Sequence, residues 1–336
     1  MLKYAIVGFG GLGKVHFKNL LTIEEERGDI ELVAICGADL GSLSKSTQLN
    51  IGNTSLEGID FSKYNLYESY EELFKNEELD FVVSALPTVI HKDFSVFALE
   101  RGVHVFSEKP MALSLSDCES MFEAAKNKDK VLMIGQCLRF SGPYIKAKEY
   151  IESGEFGKVN RAEFFRYSAT PMWGVNHWHL DRKQSGGCPI DLHVHDVDIM
   201  NYFFGMPKAV TSHSTHNKSE FENIFTTYEY DDIFVTSAAD WSFPQKYPFK
   251  PLLTLQFEKA AVEINGDDIM VYTDDEVLKP QIDEEDLFFK EMKEFVECVI
   301  SNKESKIASC KSVMNSMRIA YAEISSAEQN GKRIEL

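Results

Sequence analysis

The chain has 336 residues, enough for two domains, and its hydrophobic fraction of 44% is ordinary for a globular protein. Its 53 acidic residues outnumber 35 basic ones, and a net charge of −18 repels a phosphate backbone, so we expect no nucleic acid partner. No run of about 18 or more apolar residues occurs, so we expect no membrane span. The six cysteines are scattered without close pairs, as in reduced proteins, and we expect a cytoplasmic location.

The first 135 residues alternate between short apolar runs and helical patterns. The apolar runs predict strands at residues 3–7, 31–36, 64–67, 80–86, 103–106 and 131–135. Helical patterns lie between most of them, as at residues 91–100 and 116–126. Strands that alternate with helices form parallel crossovers, so residues 1–135 are predicted to be an α/β domain with a doubly wound parallel sheet.

A glycine-rich turn joins the first predicted strand to the helix after it. Gly8, Gly10 and Gly13 fit the pattern G-x-G-x-x-G, in which the glycines allow a tight turn, close approach of a pyrophosphate and close helix packing. With Gly11 and Leu12 they form a helix N-terminus, whose free N–H groups favour phosphate. The turn predicts a Rossmann-type dinucleotide site, although a turn without a ligand would need the same glycines.

The choice between NAD and NADP depends on the end of the second strand. Gly37 stands where an acidic residue for the adenosine ribose is expected, and Asp39 follows it. An acid there binds the ribose hydroxyls and repels a 2′-phosphate. Lys45, with Ser42 and Ser44, offers groups that would accept such a phosphate. Both cofactors therefore stay open, and Asp39 favours NAD.

The pattern changes after residue 135. A helix is predicted at residues 144–153, and β character follows at residues 158–168, 208–217, 223–230, 233–240, 251–257 and 260–264. Asp231–Asp232 and Lys259–Ala260 indicate hairpin turns, and two amphipathic helices near residues 288–299 and 313–324 close the chain. Residues 136–336 are predicted to be an α+β substrate domain with a large, mostly antiparallel open sheet. One face of that sheet is left for a helix or a partner.

Two polar motifs are candidates for chemistry. Glu108-Lys109-Pro110 follows the fifth strand, and ligands of doubly wound sheets bind beyond the carboxyl ends of strands, although an ordinary surface pair is the simpler interpretation. The second motif follows Gly186-Gly187 and is predicted to be one helix through residue 204. On that helix Asp191, His195 and Asp198 share a face, so His195 is a candidate general base between carboxylates. The alternative is an Asp cap with a histidine in a polar core.

Four histidines raise the question of a metal site. His177, His179, His193 and His195 form two H-x-H pairs. On a helix the two members of such a pair point about 200° apart, because each residue turns about 100°. We therefore predict no metal, and we expect His193 to face away from the stripe that contains His195.

Together these motifs resemble the Gfo/Idh/MocA family of glucose–fructose oxidoreductase and inositol dehydrogenase relatives. The resemblance covers nearly the whole chain and depends on four motifs in order. They are Gly8, Gly10 and Gly13; A-x-P-x-x-x-H at Ala85, Pro87 and His91; Glu108-Lys109-Pro110; and G-G-x-x-x-D-x-x-x-H-x-x-D from Gly186 to Asp198.

The resemblance implies roles for these residues. Lys109, Asp191 and His195 would be catalytic, with His195 as the acid/base, Lys109 stabilising negative charge and Asp191 orienting the substrate. Ala85, Pro87, His91, Glu108 and Lys109 would join the glycine turn and Asp39 in binding the cofactor. The substrate side would comprise Arg139, Trp173, Trp178 and Asp181 with Asp191 and His195, although core packing would equally explain both tryptophans.

The resemblance also implies a sugar, inositol or related polyol as substrate, NAD or NADP as cofactor, and a homodimer or homotetramer formed through the open sheet face. The chain departs from the family pattern at Gly37, Cys188 and His193, which leaves the cofactor and the substrate open. Two alternatives remain: a non-catalytic nucleotide or sugar sensor of the same fold, and NAD-dependent glycoside hydrolysis. Retention of Lys109, Asp191 and His195 favours the dehydrogenase.

Overall fold

The computed structural model describes residues 1–43, 47–49, 52–54, 56–172, 175–216 and 219–336. The chain forms two compact units. The first unit contains Met1–Gly135 and Asp286–Cys310, and the second contains Gln136–Glu285 and Lys311–Leu336. The segment Asp286–Cys310 therefore belongs to the first unit, whereas we expected everything after residue 135 to form the second.

The first unit is built on a six-stranded sheet whose neighbouring strands are all parallel. Its strands are β1 (Leu2–Val7), β2 (Ile30–Cys36), β5 (Asn65–Tyr67), β6 (Phe81–Ser84), β7 (His104–Glu108) and β8 (Leu132–Gly135). Their order is β5-β2-β1-β6-β7-β8, and β3 (Thr47–Leu49) and β4 (Gly52–Thr54) form a separate hairpin. The parallel pairing confirms the predicted doubly wound sheet, and the buried strands β1 and β6 are apolar over most of their length.

Helices cover this sheet and begin at recognisable caps. They are α1 (Gly11–Arg27), α2 (Tyr70–Asn76), α3 (Thr88–Glu100), α4 (Leu115–Lys128) and α9 (Leu287–Ser301). The side chains of Ser69, Ser114 and Asp286 each accept a backbone N–H at the start of α2, α4 and α9. Gly28, with φ of 69°, ends α1 in the left-handed conformation.

Helix α9 joins the first unit because of its apolar face. Phe295 is fully buried, and its ring lies 5.7 Å from that of Phe81 and 5.6 Å from that of Phe106, both on strands of the parallel sheet. Met292 and Val296 on the same face are also buried. Burial of one such side chain stabilises a fold by about 1.5–3 kcal/mol, which explains why this late segment packs on the N-terminal unit.

The second unit is built on a nine-stranded sheet. Its strands are β9 (Val159–Ala169), β10 (Ala209–His213), β11 (Asn223–Glu229), β12 (Phe234–Phe243), β13 (Lys250–Phe257), β14 (Ala261–Asn265), β15 (Asp268–Tyr272), β16 (Val277–Leu278) and β17 (Ile334–Glu335). Their order is β16-β15-β14-β13-β9-β12-β11-β10-β17, and all neighbours are antiparallel except β9 and β12. The predicted mostly antiparallel sheet is confirmed. Strand β10 ends at His213, four residues before the predicted end, and residue 217 lies outside the described residues.

The helices of the second unit are α5 (Gly142–Ser153), α6 (Arg182–Ser185), α7 (Cys188–Asp191), α8 (Val194–Phe204) and α10 (Cys310–Glu328), the last of which begins at the end of the first unit. The predicted continuous helix through residue 204 is wrong, because the chain forms α7 and α8 with a break between them. His193 donates its backbone N–H to the carbonyl of Cys188, five residues earlier, at 2.8 Å, so the turn is wider than an α-helical turn. Nowhere in the described ranges does a helix combine the length and apolar character needed to cross a membrane.

Candidate functional site

In the first unit the glycine turn lies at the carboxyl end of β1. An added Cβ at Gly8, whose φ is 91°, would lie 2.5 Å from the Ala85 carbonyl oxygen, and one at Gly13 would lie 2.0 Å from the Gly8 carbonyl oxygen. Packing therefore requires both glycines. A Cβ at Gly10 would meet nothing within 4 Å, so open space lies beside this residue at the start of α1.

The open space at Gly10 fits a dinucleotide pyrophosphate. The first N–H groups of α1, which include those of Gly11 and Leu12, have no partners within the helix, and no acidic side chain lies in its first turn. These residues would hold the phosphates of a bound cofactor. The three glycines thus have different functions: two serve packing, and Gly10 leaves room for a ligand.

The end of β2 explains the departure at residue 37. A Cβ at Gly37 would lie 3.3 Å from the Cβ of Phe9, so the glycine turn itself leaves little room for a side chain there. Asp39 is exposed two residues later, just before a short 3₁₀ turn at Leu40–Ser42. Of the groups considered for a 2′-phosphate, Ser44 and Lys45 lie outside the described residues. Asp39 is therefore the acidic side chain at this strand end that a ribose would meet.

The loop after β6 contains Ala85 and Pro87, and its histidine points inward. Ala85 is half-buried and donates its N–H to Val7 of β1 at 2.8 Å, whereas Pro87 is exposed at the start of α3. His91 is 1% exposed, and its two ring nitrogens each lie 2.8 Å from a backbone carbonyl, those of Leu86 and Pro110. The expectation that His91 binds cofactor directly is wrong, because its ring joins two loops and presents no surface.

Glu108 at the end of β7 is buried rather than open to a ligand. Its Oε1 lies 2.6 Å from Nε2 of His16, which is fully buried on α1, and its Oε2 accepts the backbone N–H of Lys109 at 3.2 Å. Direct cofactor binding by Glu108 stays a prediction, and the structure gives its carboxylate contacts to His16 and to the backbone of Lys109. This pair connects α1 to the strand end where Lys109, half-buried, precedes the cis peptide bond to Pro110.

In the second unit Asp191 and His195 are the half-buried residues of the motif. Asp191 is the last residue of α7, and His195 is the second residue of α8. Gly186 and Gly187, with φ of 83° and 76°, form the turn into α7. Leu192 between them is half-buried as well, whereas the other residues from Gly186 to Asp198 are buried. Because α7 and α8 are separate, the spacing of Asp191 and His195 is set by the break and not by one helix face.

Asp198 does not flank His195 as predicted. Its carboxylate accepts Nε and Nη2 of Arg139 at 2.7 and 2.6 Å, and Oγ of Ser316 on α10 at 2.8 Å. Arg139 and Asp198 are each 1% exposed, and Arg139 also donates to Ser312 at 3.2 Å. The expectation that Arg139 lines a sugar pocket is wrong, because its guanidinium is buried against these partners.

Two further ion pairs anchor α8. Asp196 binds Arg166 of β9 through two hydrogen bonds of 2.9 and 2.8 Å. Nε2 of His193 lies 3.3 Å from Oε2 of Glu323 on α10 and 3.2 Å from the hydroxyl of Tyr228 on β11. Burial lowers the pKa of His193, but the carboxylates of Glu323 and Asp196 outweigh burial, so the pKa is raised. His193 is thus part of a buried network rather than an idle neighbour of His195.

The aromatic residues proposed for the sugar side are only partly described. Trp178 is half-buried and stacks on His179 at 4.0 Å between ring centroids, and Trp173 lies outside the described residues. Asp181 caps α6, because its carboxylate accepts the N–H of Lys183 at 3.0 Å. Among the residues that the structure describes, no group of three or more His, Cys, Asp or Glu side chains could hold a metal ion.

Sequence reasoning missed the partners of these motif residues. His16, Arg166, Tyr228 and Glu323 all contact a motif residue, and none lies near it in sequence. One signal was available, since a carboxylate within an apolar helix such as α8 needs a buried partner. A buried carboxylate therefore predicts a basic partner, but the sequence does not identify which basic residue that partner is.

Comparison with known proteins agrees with this architecture. Residues 2–136 match the model of the oxidoreductase family with an NAD-binding Rossmann fold, and residues 144–271 match that of the GFO/IDH/MocA C-terminal domain. The chain is 30% identical to scyllo-inositol 2-dehydrogenase (NAD(+)) of Bacillus subtilis over 65% of its length and 57% of that protein. It is also 30% identical to 2,7-anhydro-N-acetylneuraminate hydratase of Mediterraneibacter gnavus, over 62% of its length and 51% of that protein.

The alignments with curated relatives are partial, while the fold similarity is complete. The chain spans about half the length of the curated relatives it matches. The structure of an aldose–aldose oxidoreductase from Caulobacter crescentus superposes with a TM-score of 0.82 at 20% identity, covering 100% of this chain and 99% of that one. The N-terminal and the C-terminal models of one family thus match this chain one after the other, the first over residues 2–136 and the second over residues 144–271. The chain belongs to the Gfo/Idh/MocA family of oxidoreductases.

Proposed function

We propose that this protein is an NAD-dependent dehydrogenase that transfers hydride between nicotinamide and a CH–OH carbon of a sugar, an inositol or a related polyol. The observation that supports this most directly is the open space at Gly10, beside the free N–H groups of α1 and at the carboxyl edge of a parallel sheet. The relative from Bacillus subtilis is named as an NAD(+)-dependent dehydrogenase of scyllo-inositol.

Three residues supply the proposed chemistry. In oxidation the substrate hydroxyl loses its proton to the imidazole of His195 while its carbon loses hydride and becomes a carbonyl. Lys109, at the end of β7, stabilises negative charge that develops on the reacting oxygen. Asp191 accepts hydrogen bonds from substrate hydroxyls and orients them. Bound NAD would supply the hydride acceptor, held by Gly8–Gly13, Ala85 and Pro87.

The exposed side chains suggest how cofactor and sugar are chosen. Asp39 at the end of β2 would accept the adenosine ribose hydroxyls and repel a 2′-phosphate, which favours NAD over NADP. On the sugar side, the half-buried Trp178 offers an aromatic face for C–H groups, near Asp191 in sequence. The proposed role of Trp173 in sugar binding stays a prediction.

The sheet of the second unit is the proposed surface for a homodimer or homotetramer. Alternate residues of β9 from Ala162 to Ser168 are buried, so Phe165 lies on the opposite face, in register with Leu252 of β13. On β11, which is separated from β9 by β12, Phe225 is in register with Phe165 through Ala238 and is 44% exposed. Phe225→Asp should therefore shift the sedimentation coefficient towards the monomer. The control Ile300→Asp, on helix α9 and 41% exposed, should leave it unchanged.

A cytoplasmic location is proposed from the cysteines. All six are free thiols and all are buried, which suits a reducing compartment. The partners proposed are small polyols, and we propose no nucleic acid partner because the net charge of −18 repels a phosphate backbone.

The decisive experiment is a nicotinamide absorbance screen over inositols, aldoses and glucosides with NAD and NADP, together with calorimetry for cofactor binding. We expect turnover with NAD on at least one polyol, and turnover lowered by about 10²–10⁴-fold in His195→Ala. Binding of neither cofactor would refute the proposal. Cofactor binding with conversion of a sugar but without net reduction would instead favour a redox-neutral reaction, as the name of the hydratase relative suggests. Binding without conversion would favour a sensor.

A further inference from the structure

Helix α8 starts beside a cluster of buried charges that the proposed chemistry does not use. The cluster consists of Arg166 on β9, His193 and Asp196 at the start of α8, Tyr228 on β11 and Glu323 on α10. None of the five is more than 4% exposed. Tyr230, directly after β11, adds a further titratable group near Glu323, and Tyr144 on α5 lies near Arg166. We refer to the five residues as the α8 charge cluster.

With Glu323 ionised, the charges of this cluster balance when His193 is protonated. Arg166 and Asp196 form a bidentate pair and cancel each other. Glu323 is fully buried, and its contacts to the cluster are the hydroxyl of Tyr228, which hydrogen-bonds Oε1, and the ring of His193. With His193 neutral, a buried carboxylate would have no cation, and such a charge is costly in a protein interior. With His193 protonated, its positive charge lies 3.3 Å from Oε2 of Glu323, measured from Nε2, and 3.9 Å from Oδ2 of Asp196, measured from Nδ1.

His193 also occupies the break between α7 and α8. Its N–H binds the carbonyl of Cys188 at 2.8 Å, and its carbonyl accepts the N–H of Asp196 at 2.9 Å. Asp191 ends one helix and His195 lies at the start of the next, so the backbone at His193 sets their separation. An anchored side chain at this position therefore fixes the geometry of two proposed catalytic residues.

We propose that His193 is a positioning residue whose imidazolium, held between Glu323 and Asp196, fixes the junction of α7 and α8 and so places His195 relative to Asp191. This proposal rests on the function proposed above for His195. The proposal requires His193, which lies two residues from His195 and does not contact substrate, to stay protonated. His195, in contrast, must lose its proton in order to act as a base.

The test is a cycle of His193→Gln, Glu323→Gln and the double variant. His193→Gln leaves Glu323 without its cation, and we expect turnover to fall about 10- to 100-fold, as for a displaced catalytic group, with NAD affinity unchanged. The double variant contains no unbalanced charge and should recover most of the turnover. Equal turnover of His193→Gln and wild type, or a double variant no better than His193→Gln, would overturn the proposal.

A measurement on the wild-type protein guards against variants that fail to fold. In protein labelled with ¹⁵N-histidine, one ring should stay protonated well above the ordinary histidine pKa of about 6.5, and its signal should be absent from the double variant. In Glu323→Gln the same ring should lose its proton at lower pH. A His193 signal that titrates at or below the ordinary value would overturn the proposal. Absence of turnover on every polyol would refute the proposed function, whereas the titration decides the charge state independently.

Discussion

The buried pair of Arg139 and Asp198 gives a quantitative prediction that separates a structural role from a sugar-binding one. The guanidinium donates at 2.7 and 2.6 Å to a carboxylate that is itself 1% exposed. Arg139→Met would leave that carboxylate buried with only Ser316 as a donor among the contacts described. Removal of one member of such a pair typically costs about 3–5 kcal/mol, so we expect the free energy of unfolding to fall by that amount.

Tryptophan fluorescence during urea unfolding measures the loss of unfolding free energy in the second unit, to which Arg139 and Asp198 belong. The three tryptophans, at residues 173, 178 and 241, all belong to the second unit, as do Arg139 and Asp198. The double variant Arg139→Met/Asp198→Leu removes both charges and should recover at least half of the loss, because a hydrophobic pair can replace a buried ion pair.

Arg161→Met is the matched control. Arg161 lies on β9 of the same unit, its side chain is 47% exposed, and its Nη2 is 3.7 Å from Glu163. Exposed pairs contribute about 0–1 kcal/mol, so this variant should unfold almost as the wild type does. Our reasoning is refuted if Arg139→Met is as stable as Arg161→Met and instead raises the KM for the sugar alone, since Arg139 would then be a substrate ligand.

Three further predictions follow from the two units. Gly10→Val should abolish NAD binding in calorimetry without lowering the melting temperature, because a Cβ at Gly10 meets no protein atom. Gly13→Val should lower the melting temperature, because a Cβ at Gly13 meets the backbone of Gly8. His195→Ala and Lys109→Ala should each lower kcat by about 10²–10⁴-fold while NAD affinity changes much less in His195→Ala. Because the pKa of His193 is raised by folding, its contribution to stability is complete below about pH 6.5 and is lost as pH rises through the raised value. The difference in unfolding free energy between wild type and the double variant His193→Gln/Glu323→Gln should therefore shrink as the pH rises from about 6.5 through the raised pKa of His193.

The fold was predictable where burial imposes a simple pattern. All six strands of the parallel sheet were predicted, because a strand covered on both faces needs a continuous apolar run, as in β1 and β6. The short edge elements were missed, among them helix α2 and the two-residue strands β16 and β17. Such elements depend on a neighbouring strand and not on their own composition. The membership of α9 was missed for a related reason, since an apolar stripe indicates burial but does not name the surface that it covers.

The candidate site was predictable to different degrees in its two halves. The glycine turn is mostly local, because its strand, turn and helix are contiguous within residues 2–27, although Gly8 also packs against the distant Ala85. The histidine motif is not local. Its helix was predicted to be continuous because no glycine interrupts residues 188–204, and proline occurs only at position 189, within the first turn. The break comes instead from the long hydrogen bond of His193, which depends on tertiary anchoring.

That difference changes how the motif with two glycines, Asp191, His195 and Asp198 should be interpreted. A spacing pattern cannot separate a carboxylate that meets substrate from one that anchors a helix, because both need the same residue type at a defined position. Burial separates them here: Asp191 is accessible, whereas Asp198 is 1% exposed and bound to Arg139, 59 residues away in sequence. The motif therefore combines two requirements, the chemistry that we propose for its first carboxylate and its histidine, and anchorage of the helix at its last carboxylate.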